Sequence, residues 1–291
     1  MRRYVSSPAT ADRYDHAEGP CWDARIERLL WVDQYVGAVL AGRYDPATHQ
    51  LRAEQRFEVG HPVGAVVPAL DGGWMTAAAL GFARLSRDGA VELLAQPEAD
   101  NPRRMRMNDG KCDDAGRFWA GSIAFDQTKG AASLYRLDPD LTVTTMLRDV
   151  TISNGMAWTG DTMFYIDTPT HRVDRFRITP EGELRDRRPF VHIVDGQPDG
   201  MCIDVDDCIW VAHWGAGQVS RHSPAGELLA IVDVDAPQVS SCCLGGPDGT
   251  TLFITTSQEG MDAAARERNA QSGKLFCVDV DTPGRPAAAF G

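Results

Sequence analysis

The stretch RMRMNDGKCDDAGRFWAG, Arg104–Gly121, decides the fold, because both of its halves recur along the chain. Taken alone, Asn108-Asp109-Gly110 reads as a hairpin turn, since Asp-Gly before a strand is among the commonest hairpin signals. The second half, GRFWAG, is a short run centred on Trp119. Similar runs are centred on Trp31, Trp74, Phe164, Trp210 and Phe253, with successive spacings of 43, 45, 45, 46 and 43 residues. The first half recurs about ten residues ahead of each centre. EGPCWD, VGAVVPA, NDGKCDD, SNGMAWT and PDGMCID carry Gly19, Gly64, Gly110, Gly155 and Gly200, spaced by 45 or 46 residues, and VSSCCLG puts Ser241 near the sixth such place.

A third series follows each aromatic run: AVLAGRYD, FARLSRDG, SLYRLDPD, RVDRFRIT, QVSRHSPAG and KLFCVDVD. These segments are strand-like and end in Asp, Gly or Pro turn chemistry. A less regular fourth segment often follows, such as AEQRFEV or RPFVHIV. Six units of three or four short strands, none able to bury both faces alone, read as an all-β, six-bladed β-propeller with four-stranded blades. The expectation is a single propeller domain over residues 1–291, against a length prior of about two domains. The sixth unit lacks a clear fourth strand after Asp279. The segment Tyr4–Tyr14 is expected to supply it, closing the ring and removing two exposed edges.

Composition narrows the function. The net charge of -12 argues against nucleic-acid or acidic-membrane partners, whose phosphates require concentrated Lys and Arg. No apolar run approaches the roughly 20 residues of a membrane helix. The N-terminus has no apolar signal region. Seven cysteines without a CxxC pair read as reduced thiols of a cytoplasmic protein. Cys21, Cys112 and Cys202 each follow a series glycine by two residues, and Cys242 lies near the equivalent place, so they are read as small packing residues. No dinucleotide fingerprint or nucleophile elbow is present.

In a propeller the first strand of each blade lines the central channel. The residue before each series glycine is Glu18, Val63, Asp109, Asn154 and Asp199, with Ser240 the approximate sixth. Four of the six carry carboxylate or amide oxygens where a core would be apolar. Converging carboxylates raise one another's pKa unless a cation sits among them. Oxygen donors of this kind suit hard ions such as Ca²⁺, Mg²⁺ or Mn²⁺, and the lack of His and Cys here argues against structural zinc.

The motifs EGPCWD at Glu18, RMNDGKCDDAGRFWAGSI from Arg106, ISNGMAW at Asn154 and PDGMCID at Asp199 resemble the senescence marker protein/regucalcin and gluconolactonase family, over nearly the whole chain. The resemblance implies a six-bladed propeller, one divalent cation in the channel (Ca²⁺, Mn²⁺, Mg²⁺, Fe²⁺ or Zn²⁺) and hydrolysis of sugar-acid lactones of the gluconolactone or xylonolactone type. It places the metal ligands on Glu18, Asn154 and Asp199. Substrate contacts fall on Arg106, Asn108 and Asp126, where relatives often carry Glu at the last position. Asp109 is expected to turn into supporting or structural hydrogen bonds, because neighbouring strand residues face opposite ways.

Within that resemblance, Asp199 is the expected general base as well as a metal ligand, with Arg106 on lactone hydroxyls or the developing oxyanion and Asn108 orienting the sugar. Two other readings stay open: an organophosphate or aryl-ester hydrolase on the same scaffold, and a non-catalytic calcium-binding propeller. His16 and His213 lie near site segments and are read as surface or satisfied polar residues, with an auxiliary base or pocket wall as the functional option. AFDQTKGAAS after Ala124 is a lid or a surface loop, and MDAAARERNAQSG from Met261 a helical or loop excursion.

Overall fold

Strands of four to nine residues alternate with tight turns along the repeat. In a computed structural model, which describes residues 1–291, they form a six-bladed β-propeller. The inner strands are Ala17–Asp23, Val63–Pro68, Met105–Cys112, Ser153–Thr159, Gln197–Ile203 and Val239–Gly245. Each starts its blade, and antiparallel neighbours run outward in chain order. The core lies between blades. Trp210 and Val219 of blade 5 pack with Cys242 and Ile254 of blade 6, and Phe253 and Cys277 of blade 6 pack with Trp31 and Leu40 of blade 1. Each fully buried Phe or Leu in these layers contributes about 1.5–3 kcal/mol.

The turn after an inner strand is held by a buried carboxylate. Asp113 accepts from Trp119 Nε1 at 2.7 Å and from the Arg117 backbone; Asp204 accepts from Trp210 Nε1 at 2.9 Å and from the Cys208 backbone. This repeated anchor explains why Asp recurs ahead of the aromatic run in blades 3 and 5. All seven cysteines are free, and all but Cys21 are buried, in keeping with a packing role.

Closure departs from the expected detail. Only Ser7–Pro8 pairs with Phe276–Asp279 as the fourth strand of blade 6. Arg2–Val5 instead adds in parallel to Leu228–Asp233 as a fifth strand of blade 5. Pro8 has no N–H and sits at an edge, where its missing donor costs nothing in the ladder. The excursion after Met261 contains a one-turn helix, Ala263–Arg268, capped by Asp262 accepting from the Ala265 N–H at 2.7 Å. No helix is long and apolar enough to cross a membrane.

One irregularity shapes the channel mouth. Every inner strand carries an extra residue against its neighbour beside the head position: between Glu18 and Cys21, Val63 and Ala65, Met107 and Gly110, Ser153 and Met156, Pro198 and Met201, and Val239 and Ser241. Such bulges re-aim side chains next to functional sites. They also explain the glycines. A Cβ on Gly155 would lie 2.7 Å from the Asp199 carbonyl oxygen, and one on Gly64 2.2 Å from that of Asn108. Adjacent inner strands touch there backbone to backbone, which only glycine permits.

Candidate active site

The bulges bring Glu18, Asp109, Asn154 and Asp199 into one buried ring at the channel mouth, with Arg106 and Asn108 above blade 3. Asp109 makes the expected structural hydrogen bond, accepting from the Gly110 N–H, but it also stays close to the other heads. Within a bulge two consecutive residues share a side, so Asp109 joins the ring, where its charge acts on both Glu18 and Asp199. Glu18 and Asp109 each fold back on the next glycine, Glu18 Oε2 and Asp109 Oδ1 accepting its N–H at 2.7 Å.

Burial, followed by the charges of Asp199 and Asp109, pushes the Glu18 carboxyl well above the usual range. Burial, then Asp109 and Glu259, does the same to Asp199. Arg106 opposes both shifts without overcoming them. Asp109 is raised by burial, with Lys111 two residues on as its counter-charge. Without a cation among them, these buried carboxyls therefore favour their protonated forms.

Asn154 supplies a separate sign. Its Nδ2 donates to Thr168 Oγ1 at 3.0 Å, and that hydroxyl spends its own proton on the Pro198 carbonyl at 2.9 Å. The hydroxyl must accept from the amide, which fixes the amide nitrogen, and the Asn154 side chain also lowers the Asp199 pKa by hydrogen bonding to it. Asn154 Oδ1 is left buried with no hydrogen-bond partner. An orphaned acceptor beside two strained carboxyls is the donor set a hard cation fits. No three His, Cys, Asp or Glu side chains form a metal-holding group by themselves.

Arg106 is held from several sides. Its Nη1 donates to Asn108 Oδ1 at 2.7 Å and to the Met107 carbonyl at 3.1 Å, and its Nη2 donates to the Tyr35 hydroxyl at 3.0 Å. Nε is buried and unpartnered. Asn108 Nδ2 donates to the Ser153 carbonyl at 2.8 Å. Asp126, by contrast, is exposed, accepts the Thr128 N–H at 3.1 Å and pairs with Arg103 at 3.1 Å, apart from the buried ring. The adjacent Phe125 faces the site instead, with the Arg104 guanidinium 4.0 Å from its ring centroid and that of Arg106 6.0 Å away.

Sequence reasoning missed Tyr35, Gln34 and Glu259. The Tyr35 hydroxyl donates to Glu259 Oε1 at 2.6 Å, and Gln34 Nε2 donates to the Asn108 carbonyl at 2.9 Å. His16 Nδ1 lies 3.2 Å from Glu259 Oε2, its ring packed between Tyr35 and Trp214. Burial lowers the His16 pKa. Burial alone would raise Glu259, but contacts from His16 and Tyr35, with Arg106 behind them, hold it below the usual carboxylate range. The one signal in the sequence was indirect: Val63-Gly64 leaves blade 2 without a polar head. His213 is structural, its ring nitrogens bonded to the Asp195 carbonyl at 2.8 Å and Ser220 Oγ at 2.7 Å. Next to Asp109 of the ring, a cavity of about 100 Å³ is lined by Cys21, Cys112, Cys202, Cys243, Lys111 and residues 285–288.

The sequence matches the family described as SMP-30/Gluconolactonase/LRE-like region over residues 16–258. Regucalcin of Xenopus laevis is 34% identical over 280 residues, 92% of each chain. YvrE of Bacillus subtilis, named as a candidate sugar lactone lactonase, is 34% identical over 284 residues, 94% of each chain. The calcium-binding protein regucalcin of Agrobacterium tumefaciens is 24% identical. Its crystal structure superposes with a TM-score of 0.90 over 100% of this chain and 99% of its own, which shows the shared fold.

Proposed function

The chain belongs to the SMP-30/gluconolactonase/LRE-like family, and from that membership we propose that it is a sugar-lactone lactonase, opening lactones of the gluconolactone or xylonolactone type with the aid of one divalent cation. The observation that carries the reading is the ring itself: Glu18, Asp199 and the orphaned Asn154 Oδ1, buried together beneath Arg106. Family and relatives support the lactonase role; the ligand set, the ion and the sugar are inferred from the ring and from that membership.

Glu18, Asn154 and Asp199 would hold the cation, which when bound supplies Lewis-acid polarisation of a carbonyl and charge for an oxyanion. The reaction adds water to the lactone carbonyl carbon and breaks the ring C–O bond. Asp199 accepts the proton of the attacking water and returns it to the departing ring oxygen. A carboxylate is a weak base near neutrality, so its contribution comes from being held at the water. Arg106 keeps its buried Nε and one Nη2 proton without a partner in the protein, and these are the donors it would offer a substrate oxygen. Asn108, bonded to Arg106 and Ser153, sets the height of those donors above the ring.

The test is acid release from gluconolactone and xylonolactone by chelator-stripped protein, restored with one divalent ion at a time. Turnover is expected to return with at least one ion and to fall by about 10²–10⁴-fold in Asp199→Ala. Hydrolysis no faster than the spontaneous rate with every ion and both lactones overturns the reading.

A further inference from the structure

We infer that Tyr35, braced by Glu259, is a positioning residue that holds Arg106 over the ring from two blades away. Blade 2 contributes no polar group at its head, since Val63-Gly64 meets the blade 3 backbone directly. The turn Gln34–Gly37 of blade 1 reaches past it. That turn is pinned through its backbone: the Gln34 N–H donates to the His16 carbonyl at 2.9 Å, and the Val63 N–H to the Gln34 carbonyl at 3.1 Å. From this base two adjacent side chains reach blade 3. Gln34 grips the Asn108 carbonyl, and Tyr35 accepts from Arg106 Nη2.

A phenol hydroxyl has a single proton. Here it goes to Glu259 of blade 6 at 2.6 Å, which leaves the oxygen lone pairs facing the guanidinium. Glu259 thereby decides that Tyr35 accepts from Arg106 rather than competing with it as a donor. The Tyr35 ring also lies beneath the guanidinium, 4.9 Å from centroid to Cζ. Arg106 is thus held on Nη1 by Asn108 and Met107 and on Nη2 by Tyr35, which leaves Nε and the second Nη2 proton without a protein partner. Planar, two-sided support of this kind preorganises a donor before substrate arrives.

The kinetic form of the inference rests on the lactonase reading, so two readouts are needed. Tyr35→Phe keeps the aromatic ring and deletes only the half-exposed hydroxyl, a change that leaves folding intact. With gluconolactone and the activating ion, it is expected to raise KM about tenfold with kcat within about twofold, and Glu259→Gln to act in the same direction without adding to it. In an Arg106→Ala background the Tyr35→Phe change is expected to have no further effect. An unchanged KM, or an equal loss in both backgrounds, overturns the inference. The second readout is independent of turnover: a crystal structure of Tyr35→Phe should show the Arg106 guanidinium displaced from Asn108, and an unmoved Arg106 overturns the inference. If the wild type hydrolyses no lactone, the lactonase reading fails and the crystal structure alone decides the bridge.

Discussion

A hydroxyl outside the ring fixes the orientation of an amide within it. Thr168 must donate to the Pro198 carbonyl, and so it accepts from Asn154 Nδ2 and leaves Oδ1 as the unpartnered atom. Replacing Thr168 by Val removes that instruction and frees the amide to rotate. Supporting hydrogen bonds of this sort typically account for about 10–100-fold in metal affinity. Thr168→Val is expected to weaken divalent-ion binding by about tenfold in calorimetric titration, with the thermal midpoint of the stripped protein little changed. Unaltered affinity would show that Asn154 is not a ligand. At this scale the sequence was legible where chemistry follows residue type. Glu18, Asn154 and Asp199 stood out as oxygen donors in register, whereas Thr168, Tyr35 and Glu259 carry no mark that separates them from ordinary turn residues.

Single blades have their own pH dependence. In blade 5, Ser220 Oγ lies 2.7 Å from His213 Nε2 and 2.8 Å from His222 Nε2, so two imidazoles share one hydroxyl inside the sheet. Burial, and then the proximity of His213, lowers the His222 pKa to about 4. The unfolded chain takes up this proton near its ordinary value of 6.5, while the folded chain does not. The stabilisation is therefore complete above the unfolded pKa and declines as pH falls from there toward the folded one. Between pH 7 and pH 5 the wild type should lose about 2 kcal/mol more stability than His222→Gln, read from urea melts. Equal losses would show that His222 does not couple folding to protons. The bulges belong to this scale as well. Alternation along a regular strand would have turned Asp109 outward, and only the extra residue, paired against nothing in the neighbouring strand, brings it in.

The whole ring depends on how its ends meet. Ser7–Pro8 completes blade 6, while Arg2–Val5 extends blade 5, so the first eight residues tie two neighbouring blades together. Arg3 adds a two-pronged contact to Asp233, at 2.6 Å on each prong, but both groups are solvent-facing and the backbone ladder matters more. Deleting residues 2–8 leaves two sheet edges open at the seam. A lower thermal midpoint and concentration-dependent association in light scattering are expected, whereas an unchanged midpoint with a monodisperse sample would place the closure elsewhere. The ring also explains why residues spread over most of the chain share one site, since each inner strand presents its head at the same mouth.

The sequence by itself determined the number of blades, the repeated strands that build them and the identity of the oxygen-bearing heads. Those features repeat at a fixed period, and a repeat is visible in one dimension. Only the tertiary structure decided that Asp109 joins the ring, that Asp126 stands out in solvent paired with Arg103, and that a blade 1 tyrosine and a blade 6 glutamate hold Arg106. The physical reason is that these are single, non-repeating contacts between distant blades. They arise where the pseudo-symmetry is broken, at a blade whose head is Val63-Gly64, and no period in the chain records them.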